Sequence, residues 1–185
     1  MRATIAWIEL TACWVLWAYP FLFRAPHVQR RESVTVIGAT RLGLLLEAAA
    51  IGLAFFRAPG TPRTHPAALL AALVFGMIGA TLAWTAVDHL GKQFRVHAGL
   101  YADHELVRSG PYAIVRHPIY ASLLAMLLAV IVLRTPWGRA LVALALFVMG
   151  TEIRVRTEDR LLASRFGAEF AEYQKRVPAY IPFVR

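Results

Sequence analysis

Five long runs of apolar residues divide the sequence, and they restrict it to folds that place most of its helices in lipid. The runs cover residues 5–23, 34–56, 67–90, 119–133 and 137–153. Charged residues make up 17% of the chain and gather at the ends of the runs, whereas soluble domains carry roughly a quarter. A surface this apolar would aggregate in water. We therefore predict an all-α integral membrane protein with about five transmembrane helices.

Length and composition indicate a single domain over residues 1–185, with three membrane helices in 1–90 and a more polar half in 91–185. Residues 154–175 carry apolar side chains at helical spacing with charges between them, which predicts an amphipathic helix after the fifth run. The fourth run reaches only about 22 Å at 1.5 Å per residue, less than the roughly 30 Å hydrocarbon core. Runs four and five can therefore also form a re-entrant pair.

Basic residues are distributed unequally between the two sides of such a bundle. With five spans, five Lys and Arg residues fall on one side and fourteen on the other, the side of the C-terminus. The positive-inside rule then places the polar half in the cytoplasm. The net charge of +9 is high, but no basic run is interleaved with exposed aromatic residues, so we expect membrane lipids and no nucleic acid as partners.

The second run contains two ionisable residues, Arg41 and Glu47. Arg41 lies near the start of the run, where a long cationic side chain can either reach the headgroups at the cytoplasmic face or line a cavity inside the bundle. Glu47 lies nearer the middle, where a carboxylate is costly and usually faces the bundle interior. We expect Glu47 either to line a functional cavity or to hydrogen-bond to a neighbouring helix.

Two polar segments, 88–117 and 152–176, fall on the same predicted side and can converge. Pro118 suits the first turn of a helix, which places His117 at its cap and Tyr120 in its opening turn. Arg154 and Glu158 are spaced i to i+4 and share one helix face, which fits a salt bridge within the helix as well as a shared binding site. Metal ligation is not predicted, because Cys13 is the only cysteine and the histidines share no ligand spacing with carboxylates.

The polar half resembles the isoprenylcysteine carboxyl methyltransferase family, a superfamily of membrane methyltransferases that also includes phospholipid N-methyltransferases. The resemblance covers roughly residues 91–183, and the combination of its motifs is specific to the family. It rests on Leu106-Val107, Gly110-Pro111-Tyr112, Arg116-His117-Pro118-Ile119-Tyr120, Arg154, Glu158-Asp159, Phe166-Gly167, Tyr173 and Val177-Pro178. The sequence departs from the family pattern at Ala121 and Asp159, and neither change removes a predicted role.

The resemblance implies a pocket for S-adenosyl-L-methionine and assigns a role to each matching position. Arg154 would face the methyl acceptor, and Glu158 would pair with the α-amino group of the cofactor. His97 would be a further polar contact. The adenosine part would meet His104, Glu105, Leu106 and Val107, and the ribose and methionine parts would meet Tyr112, His117, Pro118, Ile119 and Tyr120.

These residue types suit transfer of a methyl group from a sulfonium, which needs a positioned donor and acceptor in a dry site. The aromatic faces of Tyr112 and Tyr120 favour a cationic sulfur. Arg154 can orient a carboxylate acceptor, which needs no general base. A phenol or thiol acceptor needs deprotonation, for which His104 and His117 are the nearest candidates.

The sequence therefore predicts a membrane methyltransferase acting on a lipophilic small molecule or lipid. Two other readings are open. One is an NADPH-dependent membrane reductase of the sterol reductase type, whose C-terminal region looks similar around His117-Pro118. The other is a non-catalytic membrane protein that keeps the fold, although the Arg154 and Glu158 pair and the complete motif at residues 116–120 argue against it.

Overall fold

The computed structural model describes residues 2–24, 32–35, 37–56, 63–95, 98–101 and 103–182. Within these ranges the chain forms five α-helices: α1 Arg2–Tyr19, α2 Ile37–Phe55, α3 Pro66–Leu90, α4 Pro118–Arg134 and α5 Trp137–Arg176. A π-helical turn, Pro20–Arg24, extends α1, and two short 3₁₀ turns, Gly91–Gln93 and Gly110–Ala113, flank the loop between α3 and α4. The predicted helical fold class is confirmed.

In the part of the chain that the structure describes, three helical stretches are long and apolar enough to cross a membrane, namely Ala3–Arg24, Gly38–Phe55 and Pro66–Gln93. They correspond to the first three predicted runs, and the chain is an integral membrane protein. The fourth run forms the shorter apolar helix Pro118–Arg134. Its 17 residues reach about 25 Å, so a full count of five spans stays a prediction.

Proline sets where two of these helices begin. Pro66 and Pro118 each occupy the first turn, where the missing backbone N–H costs nothing because it has no partner inside the helix. His117 precedes Pro118 as the N-cap residue, which confirms the predicted start of the fourth helix. Its side chain makes no capping hydrogen bond and is available for other contacts.

A two-stranded antiparallel sheet, which the sequence analysis did not predict, joins the ends of two loops. Strand β1, Glu32–Thr35, pairs with β2, Gly99–Tyr101. The second apolar run was predicted to begin at residue 34, but Val34 lies in β1 opposite Leu100, and α2 begins only at Ile37. Val34 and Thr35 are β-branched and fit a strand as well as a helix. The apolar run therefore contains a strand end and a helix.

The last helix, α5, is longer than predicted, because it joins two elements that the sequence had suggested as separate helices. The fifth run and the amphipathic stretch after it were separate elements in the sequence analysis, but α5 carries both without a turn at Arg154. Its regular geometry breaks at Gly167, whose φ of 50° is readily adopted only by glycine. The first part of α5 thus reaches from the helix bundle directly into the polar half of the protein.

Helix α2 packs along α5, and α3 packs along α4 and α1. The α2–α5 contact is closest at two glycines. A Cβ atom added to Gly150 would lie 2.6 Å from the Gly43 carbonyl oxygen, and one added to Gly43 would lie 2.7 Å from that of Gly150. The two backbones approach this closely because neither residue has a side chain.

We expect Gly150→Ala to destabilise the protein by about 1–3 kcal/mol, because the methyl group forces α2 and α5 apart. Thermal unfolding in detergent, followed by the reactivity of the buried thiol of Cys13, measures the loss. Gly52→Ala is the control on the partner helix α2, since an added Cβ at Gly52 has no atom within 4 Å. Equal unfolding midpoints for the two variants would contradict the proposed close contact.

Candidate functional site

A cavity of about 440 Å³ opens where α1 and α3 end, α4 begins, and α5 enters its polar part. All eleven residues predicted for the site line it: His104, Glu105, Leu106, Val107, Tyr112, His117, Pro118, Ile119, Tyr120, Arg154 and Glu158. His97 lies outside the described residues. The two polar segments of the sequence therefore meet around one space large enough for a small-molecule ligand.

Hydrogen bonds fasten the loop ahead of α4 to α5 and to the chain beyond it. The backbone N–H groups of Arg116 and His117 donate to the carbonyl oxygens of Pro178, at 2.9 Å, and Ala179, at 2.8 Å. The Tyr173 hydroxyl donates to the Tyr112 carbonyl oxygen at 2.6 Å. These bonds bring Tyr112 and residues 116–117 together with Tyr173 and the segment that follows α5.

Both ring nitrogens of His117 face carboxylates. Nδ1 lies 3.2 Å from Glu158 Oε2, and Nε2 lies 2.9 Å from Asp159 Oδ1. Arg116 also donates to Asp159, at 3.0 Å. Two acceptors are satisfied only if both ring nitrogens carry a proton, so the imidazole is held as a cation. His117 therefore orients Glu158 and Asp159 on neighbouring positions of α5.

These contacts determine the charge states of His117 and Asp159. Burial lowers the pKa of the His117 imidazole, but hydrogen bonds to Asp159 and Glu158 and their negative charges outweigh it and raise the pKa to about 9. For Asp159, burial raises the pKa, and the hydrogen bond and charge of His117, together with Arg116, reverse this and lower it. Cation and anion stabilise each other at neutral pH.

Because the pKa of His117 is raised, the stability of the folded protein is expected to fall as the pH becomes alkaline. Folding raises this pKa from 6.5 to about 9, so the contribution is complete below pH 6.5 and is lost as the pH rises through 9. We expect the wild-type free energy of unfolding to fall by at most about 3 kcal/mol across that interval. Thermal midpoints measure it, and His117→Gln should lack this dependence. If the thermal midpoint of the variant falls equally steeply with pH, a group other than His117 causes the pH dependence.

Tyr120, Arg154 and Glu47 form a second chain of contacts on the adjacent cavity wall. The Tyr120 hydroxyl donates to Glu158 Oε1. The Arg154 guanidinium carbon lies 4.7 Å from the centre of the Tyr120 ring. Arg154 Nη1 donates to Glu47 Oε2 at 2.6 Å. Of the two predictions for Glu47, bonding to a neighbouring helix is the one that the structure shows, and Glu47 is absent from the cavity lining.

His104 has a different electrostatic environment from His117. Burial lowers the pKa of its imidazole, and the positive charges of Arg95 and Arg165 lower it further. The ring lies 6.3 Å, between centroids, from that of Phe166. His104 is therefore neutral at pH 7, and of the two histidines in the cavity it is the one that can accept a proton.

Gln93, which was not predicted from the sequence, follows α3 in a 3₁₀ turn and lines the cavity. Its side chain is 4% exposed, and among the described residues neither Nε2 nor Oε1 has a hydrogen-bond partner. A buried amide with an open donor and acceptor is costly unless a ligand or water satisfies it. The apolar wall from α1 and α2, which includes Trp17, Phe21 and Leu44, was also missed because it carries no motif.

Comparison with known proteins shows similarity over the part of the chain that carries the predicted site residues. A sequence model of the isoprenylcysteine carboxyl methyltransferase (ICMT) family matches residues 70–164, a range that contains all eleven predicted site residues. The chain is 39% identical over 116 residues to the cobalt-zinc-cadmium resistance protein CzcN of Cupriavidus metallidurans, covering 60% of this chain and 49% of the relative.

Two further curated relatives give similar coverage. The nickel-cobalt-cadmium resistance protein NccN of Alcaligenes xylosoxydans xylosoxydans is 30% identical over 117 residues, 60% of this chain and 50% of the relative. The protein-S-isoprenylcysteine O-methyltransferase of Schizosaccharomyces pombe is 34% identical over 116 residues, 61% of this chain and 49% of the relative. The chain thus matches about half the length of these relatives.

Proposed function

Because the chain belongs to the isoprenylcysteine carboxyl methyltransferase family, we propose that it transfers a methyl group from S-adenosylmethionine to a lipophilic acceptor. The observation that carries this proposal is the convergence of the predicted cofactor residues and Arg154 on one cavity. The positive-inside count supports a multi-pass arrangement with the cavity at the cytoplasmic face.

The residues of the cavity fit the chemical features of this cofactor. Its ammonium needs an anion, which Glu158 supplies with a side chain that is 27% exposed. Its sulfonium is favoured by aromatic rings, here those of Tyr112 and Tyr120. The open donor and acceptor of Gln93 offer hydrogen bonds to a ligand that has both. The cavity therefore combines an anion, aromatic faces and an unsatisfied amide.

When bound, S-adenosylmethionine would supply a methyl group on a positively charged sulfur to an acceptor nucleophile, and the sulfur would keep the electrons of the broken bond. The work of the protein is to align the two reactants and exclude water. Arg154 holds the acceptor, and Tyr120 and His117 hold the Glu158 carboxylate in place. A carboxylate acceptor transfers no proton, and a phenol or thiol gives its proton to the neutral imidazole of His104.

The names of several relatives point to an isoprenylcysteine carboxylate as acceptor, and the apolar cavity wall formed by Trp17, Phe21 and Leu44 is suited to that or another small lipid. Two relatives are named for metal resistance. Within the described residues, no group of three or more His, Cys, Asp or Glu can hold a metal ion, so no structural observation favours a metal-binding function.

The test is to titrate the purified protein with S-adenosylmethionine and, separately, with NADPH. We expect saturable binding of the first and none of the second. Incubation with methyl-labelled S-adenosylmethionine and a lipid extract should then label one acceptor class, which mass spectrometry identifies. Binding of NADPH alone would support the reductase reading, and cofactor binding without any labelled product would contradict methyl transfer to a lipid.

A further inference from the structure

Glu47 is a carboxylate buried in the middle of an apolar helix, and both of its oxygens are bound by α5. It is 1% exposed. Oε1 accepts a hydrogen bond from Thr151 Oγ1 at 3.0 Å, and Oε2 accepts from Arg154 Nη1 at 2.6 Å. Burying a carboxylate is unfavourable unless a cation and hydrogen bonds compensate. Replacement of such a pair by apolar residues often leaves stability unchanged or improves it, so stability alone does not explain this pair.

The helix contact around the pair is shaped to admit the Arg154 side chain. Gly43 and Gly150 bring α2 and α5 together one turn before Glu47 and Arg154, respectively. A Cβ atom on Gly43 would overlap Arg154 Cγ as well as the Gly150 carbonyl oxygen. The side chain of Arg154 therefore runs through a gap between the helices that only glycine at position 43 leaves open, which fixes its path from α5 to the cavity.

The guanidinium is held on two sides at the end of this path. Glu47 binds Nη1, and the Tyr120 ring lies 4.7 Å from the guanidinium carbon. Tyr120 is in turn bound to Glu158, which lies one helical turn after Arg154. Arg154 is 8% exposed and lines the cavity. The planar guanidinium therefore faces the cavity in one orientation. The Glu47 carboxylate fixes one of its N–H groups, and the Tyr120 ring fixes the plane of the group.

We propose that Glu47 is a positioning residue, which acts through Arg154 to orient the methyl acceptor. This inference rests on the proposed role of Arg154 in methyl transfer. Glu47 lies outside residues 70–164, the range matched to the family. Glu47 thus contributes to the reaction without lining the cavity, since its carboxylate determines where the Arg154 N–H groups point.

The first test compares Glu47→Gln with Glu9→Gln, the same chemical change on α1. Gln still accepts a hydrogen bond from Arg154 but loses the charge. We expect Glu47→Gln to lower transfer to the labelled lipid acceptor about tenfold while the affinity for S-adenosylmethionine changes by less than about twofold. Glu9→Gln should leave both unchanged. Equal loss of cofactor affinity and transfer in Glu47→Gln would indicate a purely structural role and overturn the proposal.

A double-variant cycle separates action through Arg154 from a general effect. In an Arg154→Ala background, Glu47→Gln should change the residual transfer rate by less than about twofold, because the group on which Glu47 acts is gone. A further tenfold loss in that background would overturn the proposal. Wild-type protein that neither binds S-adenosylmethionine nor labels any lipid would instead refute the proposed function.

The geometric part of the inference can be tested without an acceptor. Phenylglyoxal modifies guanidinium groups, and peptide mass spectrometry resolves the Arg154 site. Loss of the neighbouring carboxylate should increase modification of Arg154 several-fold in Glu47→Gln and leave it unchanged in Glu9→Gln. An unchanged rate in Glu47→Gln would show that Glu47 does not hold the guanidinium.

Discussion

Replacing Glu158 by glutamine is expected to weaken binding of S-adenosylmethionine about a hundredfold, because the variant loses the only charge proposed to meet the cofactor ammonium. The substitution keeps the size of the side chain and one acceptor for the Tyr120 hydroxyl. It removes the anion that faces His117 Nδ1 at 3.2 Å, while Asp159 continues to hold Nε2. Isothermal titration of purified protein in detergent measures the change.

Glu152→Gln is the matched control for Glu158→Gln. Glu152 lies on the same helix and also bonds a tyrosine, Tyr180, and an arginine, Arg156, but it is absent from the cavity lining. We expect the Glu152→Gln variant to bind S-adenosylmethionine with wild-type affinity. If Glu158→Gln also binds at the wild-type level, the assignment of Glu158 to the ammonium is wrong.

Replacing Arg154 is expected to stop methyl transfer without preventing cofactor binding. Arg154→Ala should lower the transfer rate by about a hundredfold to a thousandfold, the loss typical of removing a charged group that orients the reacting atoms. The affinity for S-adenosylmethionine should change little, since the cofactor is assigned to Glu158 and the loop ahead of α4. A labelled methyl-transfer assay and a cofactor titration on the same preparation give both values.

Arg154→Ala also leaves Glu47 buried without its cation, which destabilises folding. Arg154→Lys controls for this effect, because lysine keeps a positive charge near Glu47 but lacks the planar fork. We expect Arg154→Lys to recover wild-type stability more fully than wild-type transfer. If Arg154→Lys recovers the transfer rate as fully as it recovers stability, the positive charge of Arg154 is needed for folding and Arg154 does not orient the acceptor.

The sequence predicted those features of the fold and the site that depend on neighbouring residues in the chain. Pro118 cannot donate a backbone hydrogen bond and fixes a helix start, so His117 was assigned to the cap before the structure showed it there. The apolar runs located the membrane helices for a similar reason, because their composition excludes an aqueous surface. The family resemblance then identified eleven of the residues that line the cavity.

Contacts between distant segments could not be predicted in the same way. The helical period places Arg154 and Glu158 on one face of α5, but it does not select the helix that packs there, and Glu47 is 107 positions away from Arg154. Gln93 carried no recognisable pattern, since a single polar residue after a helix is common on any surface. The short sheet depends on pairing between β1 and β2, which neither strand specifies alone.

The hydrogen bonds from Arg116 and His117 to Pro178 and Ala179 have a consequence for biosynthesis. The ribosome makes residues 178 and 179 after α1 to α5, so the loop ahead of α4 lacks these acceptors until that point. The binding cavity is completed only once this late segment has left the ribosomal tunnel and docked. The proposed cofactor cavity is therefore completed only after the helices that surround it have been made.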